Sequence, residues 1–184
     1  MAWIPVIPPT EASGELKEEY ERASRERGAL ANIFTVTSLH PGILSCHLSL
    51  YEEVVFGESP LSRRERELVA TVVSRANDCV YCVTHHADAF GRHAKEPGLQ
   101  ALVATDYRKA NLSPRERAMA DHAVKLTRTP GEVTEADVEA LRAVGLDDRS
   151  ILDLTLIVAY FNFVNRIANG LGLSPEDVQK PYKY

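Results

Sequence analysis

Two short segments of this 184-residue chain announce helices in the same way. Ser62-Arg63-Arg64-Glu65 and Ser113-Pro114-Arg115-Glu116 each put a serine at a helix N-cap and a glutamate three residues on. The serine oxygen and the glutamate carboxylate then satisfy orphan backbone N–H groups from both sides, and Pro114 suits the first helical position. Behind Ser62, the residues Leu68, Val69, Val72, Val73 and Ala76 recur at helical spacing. The same signals run along the chain. Ser13 caps a helix reaching about Arg27, with Leu16, Tyr20 and Ala23 facing inward. Pro41 opens one that passes Tyr51 and Val55 and stops near Gly57. Asp78 is expected to cap the next, which holds two cysteines and runs to about His93. Pro97-Gly98 opens a shorter helix through Ala104, Thr134 with Asp137 another, and Asp147 starts the longest, ending at Gly170. Residues 1–12 are proline-rich and read as an extended arm. No set of alternating strands competes with this pattern. The expectation is an all-α fold, a single multi-helix bundle over residues 1–184.

Leu61-Ser62-Arg63-Arg64-Glu65-Arg66 resembles Leu112-Ser113-Pro114-Arg115-Glu116-Arg117, 51 residues later. A duplicated helical unit accounts for this, and so does chance, because a capping box carries little information. Only the first copy carries cysteines. Net charge is −5, from 21 basic and 26 acidic residues. With no basic run, the chain is a poor binder of nucleic acid or of an anionic membrane. The start, Met-Ala-Trp-Ile-Pro, lacks the charged and apolar regions of a secretory signal. The apolar stretch Leu154–Phe161 is broken by Thr155 and followed too soon by Asn162 and Asn165 to read as a membrane span. A cytoplasmic protein is expected. Three cysteines there do not form a disulfide framework, so a C-x-x-C pair reads as redox or metal chemistry.

That pair is Cys79-Val-Tyr-Cys82, with His86 four residues on. On a helix, 79/82 and 82/86 share one face. Thiols so placed can cycle between dithiol and disulfide, with an imidazole to handle their protons. Two effects favour different sulfurs. Cys79, near the start of the helix, gains from the positive end of the helix dipole, against the neighbouring charge of Asp78. Cys82 lies one turn from His86, which can take its proton. These grounds leave the reactive sulfur open. If the helices on either side of Asn77-Asp78 are antiparallel neighbours, Glu67 falls level with Asp88, within a turn of His86, where a carboxylate orients the ring and raises its basicity. The expected relay is Glu67 to His86 to Cys82. Read alone, Glu67 is a solvated charge in an Arg/Glu-rich first turn.

Other readings are available. The cysteines can be half of a structural zinc site, though no second Cys or His pair stands at finger-like spacing, or they can be inert. A thioredoxin fold needs βαβ context that is missing. His85 points about 100° away from His86 and reads as surface or interface. His40, His47, His93 and His122 read as structural or exposed, and Cys46 as a small buried hydrophobe. Tyr81 either lines an entrance or packs. Asn162, Asn165 and Asn169 form a polar stripe, read as interhelical hydrogen bonding or, more sharply, as facing the thiols.

The segment from Glu67 through Cys79-Val-Tyr-Cys82 to His86 resembles the alkylhydroperoxidase AhpD-like family within the carboxymuconolactone decarboxylase superfamily. The carriers are a glutamate twelve residues before the first cysteine, C-x-x-C, and a histidine four residues after the second. This covers about 20 residues. The tail Tyr160-Phe-Asn-Phe-Val-Asn-Arg-Ile-Ala-Asn-Gly-Leu-Gly is similar to the closing helix of a peroxidase-related subgroup and extends the resemblance over most of the chain. The resemblance implies an all-α homo-oligomer (dimer, trimer or hexamer) that reduces hydroperoxides with no heme, flavin or other cofactor. It implies Cys82 as peroxidatic and Cys79 as resolving cysteine, Glu67 and His86 as proton relay, and an external dithiol, lipoyl or thioredoxin-like, as reductant. Where the best-studied branch has a second histidine between the cysteines, this chain has Tyr81. The alternatives are a disulfide oxidoreductase with little peroxidase activity, and a non-enzymatic helical protein that binds zinc or another ligand.

Overall fold

The structure is a computed structural model that describes residues 2–27 and 30–175. Its elements are α1 (Gly14–Arg27), α2 (Asn32–Thr35), α3 (Pro41–Tyr51) running into a π-helical turn (Glu52–Phe56), α4 (Arg63–Ala76), α5 (Val80–Ala94), α6 (Leu99–Asp106), α7 (Pro114–Arg128), α8 (Glu135–Ala143) and α9 (Asp148–Gly170). Single 3₁₀ turns follow α6 and α7. The fold is all-α, with no strand among the described residues. Both serine boxes form as the sequence predicts. Glu65 accepts from the Ser62 N–H at 2.7 Å and Ser62 Oγ from the Glu65 N–H at 3.3 Å. At Ser113 and Glu116 the distances are 3.0 and 3.2 Å. Thr134 with Asp137 makes a third box, and Asp147 caps α9 by accepting from the Ser150 N–H at 2.8 Å.

The centre of the molecule is α4. Every residue from Glu67 to Ser74 is buried, and α5, α7 and α9 pack around it. A helix enclosed on all sides must satisfy its polar groups internally. Thr71 Oγ1 donates to the Glu67 carbonyl at 2.8 Å, and Ser74 Oγ accepts from Asn165 at 3.1 Å. By length and composition α9 could cross a membrane, but half of its apolar window is buried inside the protein, with Leu154, Ile157, Val158 and Phe161 in the core. The N-terminal arm is pinned down. The Trp3 N–H donates to the Leu171 carbonyl at 2.8 Å and the Ile7 N–H to Ser38 Oγ at 3.0 Å.

The two serine boxes face each other and exchange partners. Arg64 Nε donates to Glu116 Oε1 at 2.6 Å, and Arg115 Nε donates to Glu65 Oε1 at 2.7 Å. Arg115 and Glu116 are Arg64 and Glu65 shifted by 51 residues, so the contact is self-complementary, as between like units related by a local two-fold axis. The shift holds for α4 against α7. It fails for the next helices, because α8 starts later after its turn than α5 does.

One boundary differs from expectation. Asp78 does not cap α5; it takes the left-handed conformation with φ +51°. The Cys79 N–H donates to the Ser74 carbonyl at 2.9 Å and the Asp78 N–H to the Arg75 carbonyl at 3.1 Å. This is a Schellman closure, and aspartate tolerates its left-handed position better than most residues. Cys79 itself is the N-cap of α5. Neither α2 nor the π turn that extends α3 is marked by a sequence signal of its own. After that turn a Cβ on Gly57 would come 2.4 Å from the Glu53 carbonyl oxygen, so only glycine fits.

Candidate active site

The tight end of α4 folds α5 back along it, and that brings Glu67 and His86 together. Glu67 is 0% exposed, and its Oε2 lies 2.7 Å from His86 Nδ1. Its other oxygen, Oε1, lies 2.6 Å from Arg63 Nη2. That contact is an ion pair off the angle of a good hydrogen bond. Burial pushes the Glu67 carboxyl up, but the charge and hydrogen bond of His86, then the charge of Arg63, prevail and hold it below the usual carboxylate range. The His86 ring stands edge-on to Phe161, centroids 4.5 Å apart. With Nδ1 taken by Glu67, Nε2 is the nitrogen left to act on a neighbour.

Both cysteines of the pair are buried free thiols. They differ in access. A cavity of about 50 Å³ is lined by Cys82, His85 and His86 together with Phe34, Tyr51, Tyr81, Tyr160 and Phe161; Cys79 is not part of its wall. They differ also in electrostatics. A hydrogen bond with the Cys82 thiol lowers the Cys79 pKa below the usual thiol value, against burial, and the Cys82 backbone N–H adds to it. So the Cys82 thiol and backbone N–H favour charge on Cys79, while Cys82 shares the cavity wall with His86.

The asparagine stripe holds the turn that carries Cys79. Asn77 Nδ2 donates to Asn162 Oδ1 and Asn165 Oδ1, each at 3.0 Å, and Asn169 Nδ2 donates to the Asn77 carbonyl at 2.9 Å. Its role is interhelical bonding, and neither Asn162 nor Asn165 lines the cavity. Tyr81 does both things foreseen for it. It lines the cavity, and its hydroxyl accepts from the Ile33 N–H at 3.2 Å, tying α2 to α5.

Several residues sit elsewhere than expected. His85 is at the cavity wall, its ring 4.7 Å from that of Tyr81; a 100° rotation around α5 leads to another side of the same opening. Cys46 is exposed rather than buried. His47, by contrast, is structural, one of its two readings: it is buried, and its Nε2 lies 2.9 Å from the Tyr160 hydroxyl. Burial drives the His47 pKa down to about 4. Arg63 was missed too. Its one sequence signal is the i,i+4 spacing to Glu67. Among the described residues, no group of three His, Cys, Asp or Glu side chains could hold a metal ion.

Residues 47–97 match the carboxymuconolactone decarboxylase family. The whole fold is similar to a peroxidase-related protein from Silicibacter sp. TM1040, 32% identical with a TM-score of 0.86, over 96% of this chain and 92% of that one. It is likewise similar to an alkylhydroperoxidase AhpD core protein, also peroxidase-related, from Ralstonia eutropha JMP134, at 31% identity and a TM-score of 0.88, over 96% and 93% of the two chains. The debrominase Bmp8 shares the fold alone, at 16% identity and a TM-score of 0.78, over 96% and 95%.

Proposed function

Since this chain belongs to the carboxymuconolactone decarboxylase superfamily, in its AhpD-like peroxidase-related branch, we propose that it is a cytoplasmic thiol-dependent peroxidase that reduces hydroperoxides through a Cys79/Cys82 dithiol–disulfide cycle. The observation that carries this reading is the cavity wall, where Cys82 stands with His86 while Glu67 holds the far side of that ring.

His86 Nε2 accepts the Cys82 thiol proton. The Cys82 thiolate attacks the terminal peroxide oxygen, an S–O bond forms and the O–O bond breaks. The departing alkoxide takes up the proton from His86 and leaves as the alcohol, with Cys82 as sulfenic acid. The Cys79 sulfur then attacks the Cys82 sulfur, an S–S bond forms, and hydroxide leaves with the Cys79 proton as water. The resolving sulfur attacks as thiolate, a form that the Cys82 backbone N–H favours. An external dithiol, lipoyl or thioredoxin-like, returns the pair to dithiol by exchange and is itself oxidised. The working form is a homo-oligomer. Ile43 and Leu50 on α3, with Leu152, Leu156 and Phe163 on α9, leave large apolar side chains exposed that a second copy can cover.

The test is intact-mass analysis of the reduced protein after one equivalent of an organic hydroperoxide. The expected product has lost two hydrogens within one chain. A stable oxygen adduct, or an unchanged mass, overturns the proposal.

A further inference from the structure

Glu67 is a fully enclosed carboxylate with two occupied oxygens, and only one of them serves the histidine. The other faces Arg63, whose guanidinium cannot swing away. Arg63 Nη1 donates to the Val55 carbonyl at 2.9 Å, and the guanidinium carbon lies 3.8 Å over the Phe56 ring. Val55 and Phe56 both belong to the π turn that ends α3. Such turns are rare and concentrate at functional sites. This one, closed by Gly57, presents a carbonyl and a ring to a single arginine on the next helix.

We infer that Arg63 is a positioning residue of this site, acting through Glu67 to keep His86 able to accept the Cys82 proton near neutral pH. This rests on the reading of the preceding subsection. A carboxylate beside an imidazole favours a proton on that ring, since the charged pair is then neutral. Arg63 changes the balance. It is a permanent cation, so the arginine–glutamate pair is already neutral, and a proton on His86 adds net buried positive charge. Glu67 can then orient the ring without trapping it in the protonated form. The other charged or titratable groups around the pair are Arg66 on α4, Asp153 and Tyr160 on α9, Tyr51 on α3, and Cys79, Tyr81, Cys82 and His85 on α5; all stay in place in the test.

The experiment uses Arg63→Gln and Arg63→Lys in a Cys46→Ser background, which removes the exposed thiol. Two rates are followed against pH: alkylation of Cys82 by iodoacetamide, mapped by mass, and hydroperoxide turnover. Arg63→Gln is expected to move the acid limb of both profiles up by about one pH unit, roughly a 10-fold loss on the acid side, with the alkaline plateau kept. Arg63→Lys keeps most of the wild-type profile. If Arg63→Gln does not fold, Phe56→Leu loosens the guanidinium without removing it and shifts the limb in the same direction by less. Profiles that superimpose on wild type overturn the inference. So does an equal loss at every pH in the Gln and Lys variants, which marks a packing defect. If the wild type turns over no hydroperoxide while the alkylation limb still moves, the peroxidase reading has failed and the role of Arg63 stands.

Discussion

At the start of α4 Arg64 reaches across to Glu116, and at the start of α7 Arg115 reaches back to Glu65. The two helix starts are built from the same residues and hold each other. Beyond them the halves diverge. Glu67, two residues after the capping glutamate, is matched in α7 by Ala118, while the apolar positions Leu68 and Val72 are matched by Met119 and Ala123, all buried. After α4 the chain closes in a Schellman turn that delivers Cys79 and Cys82. After α7 it passes through Pro130–Glu132 into α8, where Asp137 caps its own helix and binds Lys125 at 2.7 Å. The capping box decides where a helix begins. Chemistry needs one buried charge in the helix and a tight turn at its end.

The sharpest test of that asymmetry is Cys82→Ser in the first half. It is expected to abolish hydroperoxide turnover and the intramolecular disulfide, read by a coupled peroxidase assay and by mass; retained activity would move the chemistry elsewhere. Glu67→Gln keeps the shape of the buried slot but loses the charge that orients His86. Turnover is expected to fall roughly 10- to 100-fold, whereas Ala118→Gln in the second half leaves the rate within two-fold, about the scatter of such an assay.

Two buried histidines then separate the cavity side from the α7 side. His47 is held neutral down to about pH 4, and burial also lowers His122, offset in part by the attraction of Asp137. For a base with a depressed folded pKa, the unfolded chain binds the proton first as pH falls. The stabilisation is therefore complete above the ordinary value near 6.5 and drains away toward 4. For His47 this is at most about 3 kcal/mol. Urea midpoints at pH 7 and pH 4.5 should converge in His47→Gln and much less in His122→Gln. Smaller still is Asn165→Ala, which unclamps the α4–α5 turn and leaves Ser74 without its partner. About 1–2 kcal/mol of stability should be lost, with slower disulfide closure. The weakest effect belongs to the shared boxes. Arg64→Gln is expected to cost about 1 kcal/mol at a pair whose glutamate is buried; a larger cost would mean that the reciprocal contact, not the core, holds the halves together.

Most helix starts were legible in the sequence because a capping box is a local bargain among four residues. Ser62, Ser113, Thr134 and Asp147 all cap as read. The Asn77-Asp78 boundary was misread because aspartate serves equally well as an N-cap and in a left-handed closing position, and only the backbone bonds from Asp78 and Cys79 decide between them. Neither α2 nor the π turn is long enough to show a period. The pairing of Glu67 with His86 followed from antiparallel register alone, and the structure has the contact. The hydrogen bond of His47 to Tyr160 spans 113 residues, and no local pattern encodes it. His85 was turned aside by counting angle around a helix without knowing how wide the opening is. Arg63 stood in plain view at i,i+4, but its value depends on Glu67 being sealed, which is a property of the packed interior.

The Schellman closure gives Cys79 a double membership, as the final residue in the ending of one helix and the first in the beginning of the next. In the proposed cycle, a bond from its sulfur to Cys82 would tie the first turn of α5 to the residue that also closes α4, next to the turn that Asn77 fastens to α9. Oxidation would then stiffen that joint, so amide exchange around residues 77–82 should report the redox state of the protein with no substrate present.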